Sequence, residues 1–287
     1  MKISVITVCC NAQDTIEPTI LSVLSQKYDN IEYVIIDGSS KDNTLEIIEK
    51  YKDRIDYYTS ESDKGIYHAM SKGIKAATGD VFYFLNAGDE FYDEFVIEKV
   101  ASAFKQYKSD IIFGNLYYKS SGENQKYLDI FKPDTVYKQT EIRNKLSLYD
   151  SNIHHQTVFY KKKVFKTSGL YREDINYGSD YMLNVDAIFK NNCKVRYTDL
   201  TIAKFLLGGV STDKETAIRD YEEARNYIRG NYFYKSLKFR IYQDISHKFY
   251  EFMSKYMRSL LRIYDNDKDF KNKIDKITEK VWGWNFE

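Results

Sequence analysis

VFYFLNAGDEF, residues Val81 to Phe91, runs from strand-forming side chains straight into small residues and two acids. The β-branched and aromatic residues Val81 to Leu85 are typical of a buried strand. A carboxylate at Asp89, just past this strand, needs a reason, because buried strands rarely end on a charge. Ligands of open α/β sheets bind beyond the carboxyl ends of the strands. The stretch therefore predicts a buried strand that borders a ligand site.

Three similar runs precede this strand in the chain, at Ile3–Cys9, Glu32–Asp37 and Ile55–Ser60. Helical patterns of roughly ten residues separate them, as in crossover units that build a parallel sheet. The first of these helices carries Asp14 and Glu17 at the spacing of a capping box. The pattern predicts an α/β fold with a mostly parallel sheet flanked by helices.

Polar residues follow the other strand ends as well, and they are expected to meet at one edge of the sheet. Asn11 lies beyond the first strand, Asp37 ends the second, and Asp63 follows the third. Each acid alone is also explained as a turn residue or a helix cap. Their joint placement, together with Asp89, favours a shared cleft.

Composition narrows the classes of protein. The 287 residues can form one main domain with an appendage, or two domains, and 43 basic against 42 acidic residues give no global field for nucleic acid. Three cysteines without CxxC spacing are expected to be reduced thiols. The first apolar run stops at Asn11, too short for a signal peptide, and no later segment reaches spanning length without charges. We therefore expect a cytoplasmic protein.

The small residues Ala87 and Gly88 before Asp89 let a hard cation and a bulky anion approach the backbone. Mg²⁺ or Mn²⁺ bound partly through substrate phosphates fits this better than zinc, because the histidines and cysteines lack ligand spacing. The sequence has no GxxxxGK[ST] loop, no GxGxxG after the first strand and no GxSxG turn. ATPases, dinucleotide oxidoreductases and serine hydrolases therefore lose their main support.

A set of motifs in a fixed order resembles a known family. They read ISVITVCCNA, IIDGSSKDNT, SDKGIYHAMSKGIKAATGD, FLNAGD, HHQTVFYKKKVF, YGSDYMLNVDAIF and LLGGVST. Together they resemble family 2 glycosyltransferases with the GT-A fold, and among these the bacterial members that build surface polysaccharides. The resemblance is dense from Lys2 to about Asp93.

The resemblance implies roles at the donor site. Asp37 is expected to contact the base or ribose, and the segment from Asp63 to Gly65 to close over the nucleoside. Asp89, the last acid of NAGD, is expected to hold Mn²⁺ or Mg²⁺ on the donor diphosphate, although Asn86 and Gly88 stand where many members have carboxylates. The residues expected to bind the donor are Thr7, Val8, Asn11, Asp37, Asp63, Lys64, Gly65, Asn86, His155 and Gln156.

Asp180, in GSDYML, matches the family acid that serves as general base. It would remove the proton of the acceptor hydroxyl in a direct displacement with inversion. A helix N-cap is an alternative for Asp180, and both roles are compatible. His155 is equally well explained as a hydrogen-bonded structural histidine. His68 and Met182 stand where related sequences often carry acids, which leaves the donor sugar open.

The C-terminal quarter shows a helical pattern. We expect a GT-A domain over 1–212 and a helical extension over 213–287. Within it, residues 235–262 combine an apolar stripe with an opposite basic face. Such a helix suits peripheral contact with the inner face of the cell membrane. Packing on the catalytic domain, or on a second subunit in a homodimer, is the alternative.

The sequence as a whole favours an inverting, metal-dependent glycosyltransferase. It would move a sugar from a nucleotide-sugar donor, with a UDP-sugar favoured, to a glycan or lipid-linked glycan in bacterial polysaccharide biosynthesis. The alternative is a non-catalytic sugar-nucleotide-binding or assembly subunit, because Asn86, Gly88 and Met182 replace expected acids. Nucleotidyl transfer is a third hypothesis, without a basic triphosphate loop to support it.

Overall fold

The computed structural model describes residues 1–119, 134–139, 141–142, 148, 152–175, 178–206, 222, 226–227 and 230. The chain divides into two compact units, Met1–Ile228 and Arg229–Glu287. The amphipathic segment 235–262 lies outside the described residues, and the expected boundary at residue 212 stays a prediction. Among the helices that the structure describes, none has the length and apolar character needed to cross a membrane.

The first half of the fold is a parallel sheet, as the sequence predicts. Its elements are β1 Ile3–Cys9, α1 Ile16–Leu24, β2 Ile31–Asp37, α2 Thr44–Lys50, β3 Tyr57–Ser60, α3 Ile66–Ala76 and β4 Val81–Phe84. Strand β1 pairs in parallel with both β2 and β4, and β2 pairs in parallel with β3. The three helices connect these strands.

The second half of the chain extends the sheet with mixed pairing. Its elements are β5 Glu90–Phe91, α4 Val96–Tyr107, β6 Ile111–Lys119, β7 Thr135–Tyr137, β8 Val158–Lys161, a helix Lys162–Ser168, a helix Ser179–Val185, a π-helical turn Asp186–Lys190 and β9 Val195–Leu206. The strand order is β3-β2-β1-β4-β8-β6-β9-β5, with β7 paired to β6. Strand β8 is antiparallel to both β4 and β6, so it joins the two halves.

Burial on both faces explains the near-continuous apolar strands. Every residue of β1 and β4 is buried. Between the halves, the Tyr83 ring stacks on Phe159 at 4.1 Å and on Phe91 at 5.0 Å between centroids. This aromatic stack packs β4 against the elements that follow it and therefore fixes the position of the NAGD turn.

The capping box expected at the start of α1 is wrong. Thr15 holds the N-cap position and makes no side-chain cap hydrogen bond. The Glu17 carboxylate instead accepts a hydrogen bond of 2.8 Å from the Tyr51 hydroxyl and lies 3.8 Å from the Lys50 ammonium. A partner at the end of α2 therefore replaces the local one.

Gly114 marks a β-bulge in β6, where the register with β9 shifts between Phe113 and Asn115. A Cβ at this glycine would collide with the Leu200 carbonyl oxygen of β9 and would lie 2.9 Å from Cγ1 of Ile202. The close approach of the two backbones requires glycine here.

Glu32 closes the amino end of the sheet, opposite the strand ends of the expected site. Its buried carboxylate accepts hydrogen bonds from the Lys2 ammonium at 2.7 Å and from the Thr78 amide at 2.7 Å. Burial by itself raises the pKa of this carboxyl, but the hydrogen bonds from Lys2, Ser4 and Thr78 outweigh burial and lower it to about 2.

We predict that Glu32→Gln lowers the free energy of unfolding by about 2 kcal/mol near pH 7. The folded-state pKa lies below the ordinary value of 4.5, so the contribution of Glu32 is present above pH 4.5 and is lost as the pH falls toward 2. Urea unfolding at pH 7 and pH 3.5 measures this change. The exposed Glu98→Gln is the matched control, and an equal loss at both pH values would contradict the prediction.

Candidate active site

The loops that follow β1 and β2 are fastened to each other. The Asn11 backbone, at φ 49°, donates to the Ser40 hydroxyl at 2.7 Å, and the Asn11 side-chain oxygen accepts from the Lys41 amide at 2.8 Å. Thr7 and Val8 are buried in β1, and the Thr7 hydroxyl lies 3.2 Å from the Tyr33 hydroxyl. These residues therefore form part of the carboxyl end of the sheet, where the site is expected.

Asp37 is fully buried at the end of β2. Its carboxylate accepts hydrogen bonds from the Ser40 amide at 2.9 Å and from the Ser60 hydroxyl at 2.6 Å, so it links the loop after β2 to the end of β3. The expected contact with a base or ribose stays a prediction. The geometry shows that Asp37 ties together the loops at which a nucleoside is expected to bind.

The segment from Asp63 to Gly65 forms a tight turn before α3. The Asp63 carboxylate accepts from the Gly65 amide at 2.9 Å, and the Lys64 amide donates to Nδ1 of His68 at 3.2 Å. Gly65 has φ 121°, a backbone conformation that favours glycine. A Cβ on Gly38 would lie 2.6 Å from an Asp63 carboxylate oxygen, so glycine lets the two loops meet.

Asp89 is buried at the end of the NAGD turn. One carboxylate oxygen accepts from the Gln156 side-chain amide at 3.0 Å, and the other accepts from the Leu206 backbone amide at 3.3 Å. Burial raises the pKa of Asp89 to about 7, although both hydrogen bonds act to lower it. The carboxylate therefore joins the end of β4 to the end of β9.

The protein donors around Asp89 occupy part of the capacity of its carboxylate. Both of its carboxylate oxygens face protein donors, and the part of the chain that the structure describes contains no group of three acids, histidines or cysteines that could hold a metal. The Asn86 side-chain oxygen is buried without a described hydrogen-bond partner. Asp89 as a metal ligand stays a prediction, and each of its oxygens keeps a further lone pair beside the hydrogen bond that it accepts.

His154 and His155 stack on each other, with ring centroids 5.6 Å apart and an interplanar angle of 9°. Burial lowers the pKa of His154 to about 3 and the pKa of His155 to about 4, so both rings are neutral near pH 7. Nε2 of His155 lies 3.2 Å from the Asn86 side-chain nitrogen. The pair therefore contributes hydrogen-bonding groups to the site and no positive charge.

Asp180 lies in the first turn of the helix Ser179–Val185 and is buried. Its carboxylate accepts a hydrogen bond of 2.9 Å from the Tyr67 hydroxyl. Burial raises the pKa of Asp180, against the opposing effect of this bond and of nearby His154. The N-cap alternative for Asp180 is wrong, because Gly178 occupies the cap position at φ 81°.

The structure joins the expected residues into two polar clusters. One holds the loops around Asn11, Asp37 and the Asp63 turn. The other runs from Asp180 past the two histidines to Asn86, and from Gln156 to Asp89. Helix α3 connects them, because it starts at the Asp63 turn and carries Tyr67 to Asp180.

Sequence reasoning missed Tyr67 and His154 as parts of the site. Tyr67 stands 113 residues before Asp180, and neither periodicity nor spacing predicts contacts at that separation. His154 is adjacent to the expected residue His155, and its place beside Asp180 depends on the turn that begins at His155. The motif blocks GIYHAM and HHQ were the available signals.

A comparison with protein families identifies the chain. The model of the family described as glycosyl transferase family 2 matches residues 4–169. The chain belongs to this family. The membership confirms the resemblance that the motifs indicate.

Curated relatives carry related descriptions. The PGL/p-HBAD biosynthesis glycosyltransferase of Mycobacterium bovis is 27% identical over 220 residues, which cover 74% of this chain and 81% of the relative. An uncharacterised glycosyltransferase of Rickettsia typhi is 30% identical over 184 residues, which cover 63% of this chain and 57% of the relative.

Solved structures confirm the GT-A fold. TarS 1–349 of S. aureus, in complex with UDP-GlcNAc, has a TM-score of 0.59 at 19% identity, covering 73% of this chain and 59% of that one. The mannosyltransferase PcManGT of Pyrobaculum calidifontis, in complex with GDP-Man and Mn²⁺, has a TM-score of 0.55 at 13% identity, covering 77% and 60%. The match thus spans about 60% of the length of either solved chain.

We predict that Asp89→Asn becomes more stable relative to the wild type as the pH rises from 5 to 8, by about 2 kcal/mol. The folded-state pKa of Asp89 lies above the ordinary value of 3.8, so the wild type loses stability as its carboxyl ionises between about pH 4 and pH 7. The new amide keeps both contacts if the Gln156 amide turns over, since the Gln156 side-chain oxygen has no described partner. Urea unfolding at both pH values measures the difference.

Asp110→Asn is the matched control, because Asp110 is also buried yet shifts in the opposite direction. Burial by itself raises the pKa of the Asp110 carboxyl. Contacts with the Lys163 ammonium, at 2.7 Å, and with the Lys194 amide outweigh burial, so the net pKa is lowered. Between pH 5 and pH 8 this control should keep a constant stability relative to the wild type, because the Asp110 carboxyl is ionised in both the folded and the unfolded state throughout that range. A pH-independent effect of Asp89→Asn would contradict the prediction.

Proposed function

We propose that the protein transfers a sugar, with inversion, from a nucleotide-sugar donor to a hydroxyl of a glycan or lipid-linked glycan in bacterial polysaccharide biosynthesis. The observation that carries this proposal is the buried Asp180 carboxylate, held by Tyr67 in a cluster that also contains the NAGD turn. A UDP-sugar is the favoured donor, and the S. aureus TarS complex with UDP-GlcNAc supports this choice.

Asp180 acts as the general base in the proposed reaction. Its carboxylate takes the proton of the acceptor hydroxyl while that oxygen forms a bond to the anomeric carbon. The bond from the anomeric carbon to the phosphate oxygen breaks, and its electron pair leaves with the nucleoside diphosphate. Attack from the opposite face inverts the anomeric centre. The raised pKa of Asp180 brings its basicity closer to working pH.

The donor nucleoside is proposed to bind at the loops around Asn11, Asp37 and Asp63. Internal hydrogen bonds already hold these loops in place, so they form a largely ordered pocket before the donor arrives. Thr7 and Val8 form the bottom of this proposed pocket. On the other side of the same sheet edge, Asn86 and neutral His155 supply hydrogen bonds to the diphosphate or the sugar.

A divalent metal, Mn²⁺ or Mg²⁺, on the donor diphosphate is a further part of the proposal. The Mn²⁺ in the P. calidifontis mannosyltransferase complex supports it. Among the described residues, no group of three acids, histidines or cysteines forms a ligand set by itself, and the Asp89 carboxylate already accepts two protein hydrogen bonds. The same observation favours the second candidate function, a sugar-nucleotide-binding or assembly subunit without catalysis.

The site of action is proposed to be the cytoplasm, at the inner face of the cell membrane when the acceptor is lipid-linked. The basic, amphipathic segment 235–262 supports peripheral contact with anionic lipid. A homodimer through the same segment is the alternative. Co-flotation of the full chain with vesicles of anionic lipid, compared with vesicles of neutral lipid, distinguishes the two.

We predict that UDP and UDP-sugars bind at least about tenfold more tightly than GDP and GDP-sugars, a difference of about 1.4 kcal/mol. Calorimetric titration in Mn²⁺ measures it, and repetition in EDTA tests the metal. Weaker binding in EDTA supports the metal on the diphosphate, whereas equal binding removes the metal from the proposal. Tighter binding of GDP would overturn the choice of donor.

We predict that Asp180→Asn lowers the rate of sugar transfer by about 10²-fold or more, because the amide cannot accept the acceptor proton. Donor affinity should stay within about twofold, since the proposed base does not touch the nucleotide. Transfer is measured as nucleoside diphosphate release with a glycan acceptor. Asp174→Asn, an exposed acid on the segment before the same helix, is the matched control. Full activity of Asp180→Asn would refute the assignment of the base.

A further inference from the structure

The hydrogen bond between Tyr67 and Asp180 joins the two polar clusters of the site. We propose that Tyr67 is a positioning residue, which fixes the general base and couples it to the turn that closes over the donor. This inference rests on the proposed function, in which Asp180 takes the acceptor proton. Nothing in the motif pattern assigns a role to Tyr67.

The contact is direct and shielded from water. The Tyr67 hydroxyl lies 2.9 Å from one carboxylate oxygen of Asp180, and both side chains are more than nine-tenths buried. A hydrogen bond from a neutral donor to a buried carboxylate is stronger than one between neutral groups. Backbone amides of Asp180 and Tyr181 also donate to this carboxylate, and Tyr67 adds a side-chain donor to them.

Aromatic packing holds Tyr67 in position. Its ring lies 5.5 Å from the Tyr171 ring, between centroids. Tyr171 in turn makes edge contacts with Phe84 at 5.4 Å and with Phe165 at 6.0 Å. Phe84 is the last residue of β4, the strand that leads into the NAGD turn. The Tyr67 ring therefore packs, through Tyr171, against that strand. The hydroxyl of Tyr67 therefore has little freedom to leave Asp180.

Four side chains from the surrounding elements face the Asp180 carboxylate. They are Tyr67 of α3, Tyr160 of β8, Tyr171 of the segment before the helix Ser179–Val185, and His154 of the turn before β8. The Tyr160 hydroxyl donates to the Asn184 side chain at 2.8 Å, not to Asp180. His154 is neutral near pH 7. Tyr67 is thus the side chain among these four that donates to the base.

The location of Tyr67 on α3 provides the coupling. Gly65 is the N-cap of α3, and Tyr67 lies in its first turn, two residues later. The Asp63 turn is tied to this helix start through the Gly65 amide and through the contact of the Lys64 amide with His68. The hydroxyl that orients Asp180 therefore lies on the same helix start that the Asp63 turn is bonded to, so one rigid element links the base to the turn.

The test removes only the hydroxyl, with Tyr67→Phe in the full chain. Loss of a donor to the charged form raises the pKa of Asp180, so the acid limb of the kcat profile should move up by about one pH unit. At pH values below that limb, kcat should fall about tenfold, and the KM for the donor should stay unchanged. Thermal melting checks that the variant folds, and Tyr67→Leu is a second variant without the hydroxyl.

Tyr160→Phe is the matched control. It removes another buried tyrosine hydroxyl beside Asp180, one that bonds to Asn184 instead. Its acid limb should stay within about 0.3 pH units of the wild type, because no donor to the carboxylate is lost. Equal profiles for Tyr67→Phe and Tyr160→Phe would overturn the proposal.

A direct titration separates this inference from the proposed function. NMR of protein labelled with ¹³C at the aspartate carboxyl carbons, with the Asp180 signal assigned from Asp180→Asn, reports the pKa of Asp180 without any assay of activity. A higher pKa in Tyr67→Phe, with an unmoved kcat profile, would mean that Tyr67 holds Asp180 but that Asp180 is not the base. An unchanged pKa would refute the role of Tyr67 itself.

Discussion

The buried carboxylates that the structure describes at this site take their hydrogen-bond donors from within the protein, since a buried charge without a donor is costly. Asp37 finds two serines, Asp89 finds Gln156 and Leu206, and Asp180 finds Tyr67. These bonds tie together segments far apart in sequence, so the loops of the site depend on the same acids that the sequence predicts to bind ligands.

The sequence predicts the parallel half of the fold closely. Alternating apolar strands and amphipathic helices are local signals, and the observed strands begin and end within two residues of those expected. The mixed half is harder, because β8 and β9 pair with strands that precede them by many residues. The β-bulge at Gly114 also depends on the approach of β9, which no local pattern around the glycine reveals.

Prediction of the site from the sequence likewise succeeds for local features and fails for those that depend on distant partners. Acids at strand ends are visible in the sequence, and the structure does place Asp37, Asp63 and Asp89 there. The direction in which each carboxylate points depends on distant partners, such as Leu206, 117 residues beyond Asp89. The capping box at Glu17 failed because its carboxylate bonds to the distant Tyr51, whereas the cap at Asp180 failed because the helix starts at Ser179, with Gly178 at the N-cap position. Local polar motifs were ambiguous wherever a tertiary partner was available.

Glu32 and Asp89 lie at opposite ends of one sheet, and the same kind of group behaves there in opposite ways. Hydrogen bonds lower the pKa of Glu32 to about 2, whereas burial raises the pKa of Asp89 to about 7. The ionised Glu32 carboxylate at the amino end of the sheet is therefore stabilised by its surroundings. The ionised Asp89 carboxylate at the carboxyl end is destabilised by burial. Substitutions meant to raise thermal stability should therefore be made around Glu32. Substitutions that remove the unfavourable burial of Asp89 would disturb the geometry of the proposed active site.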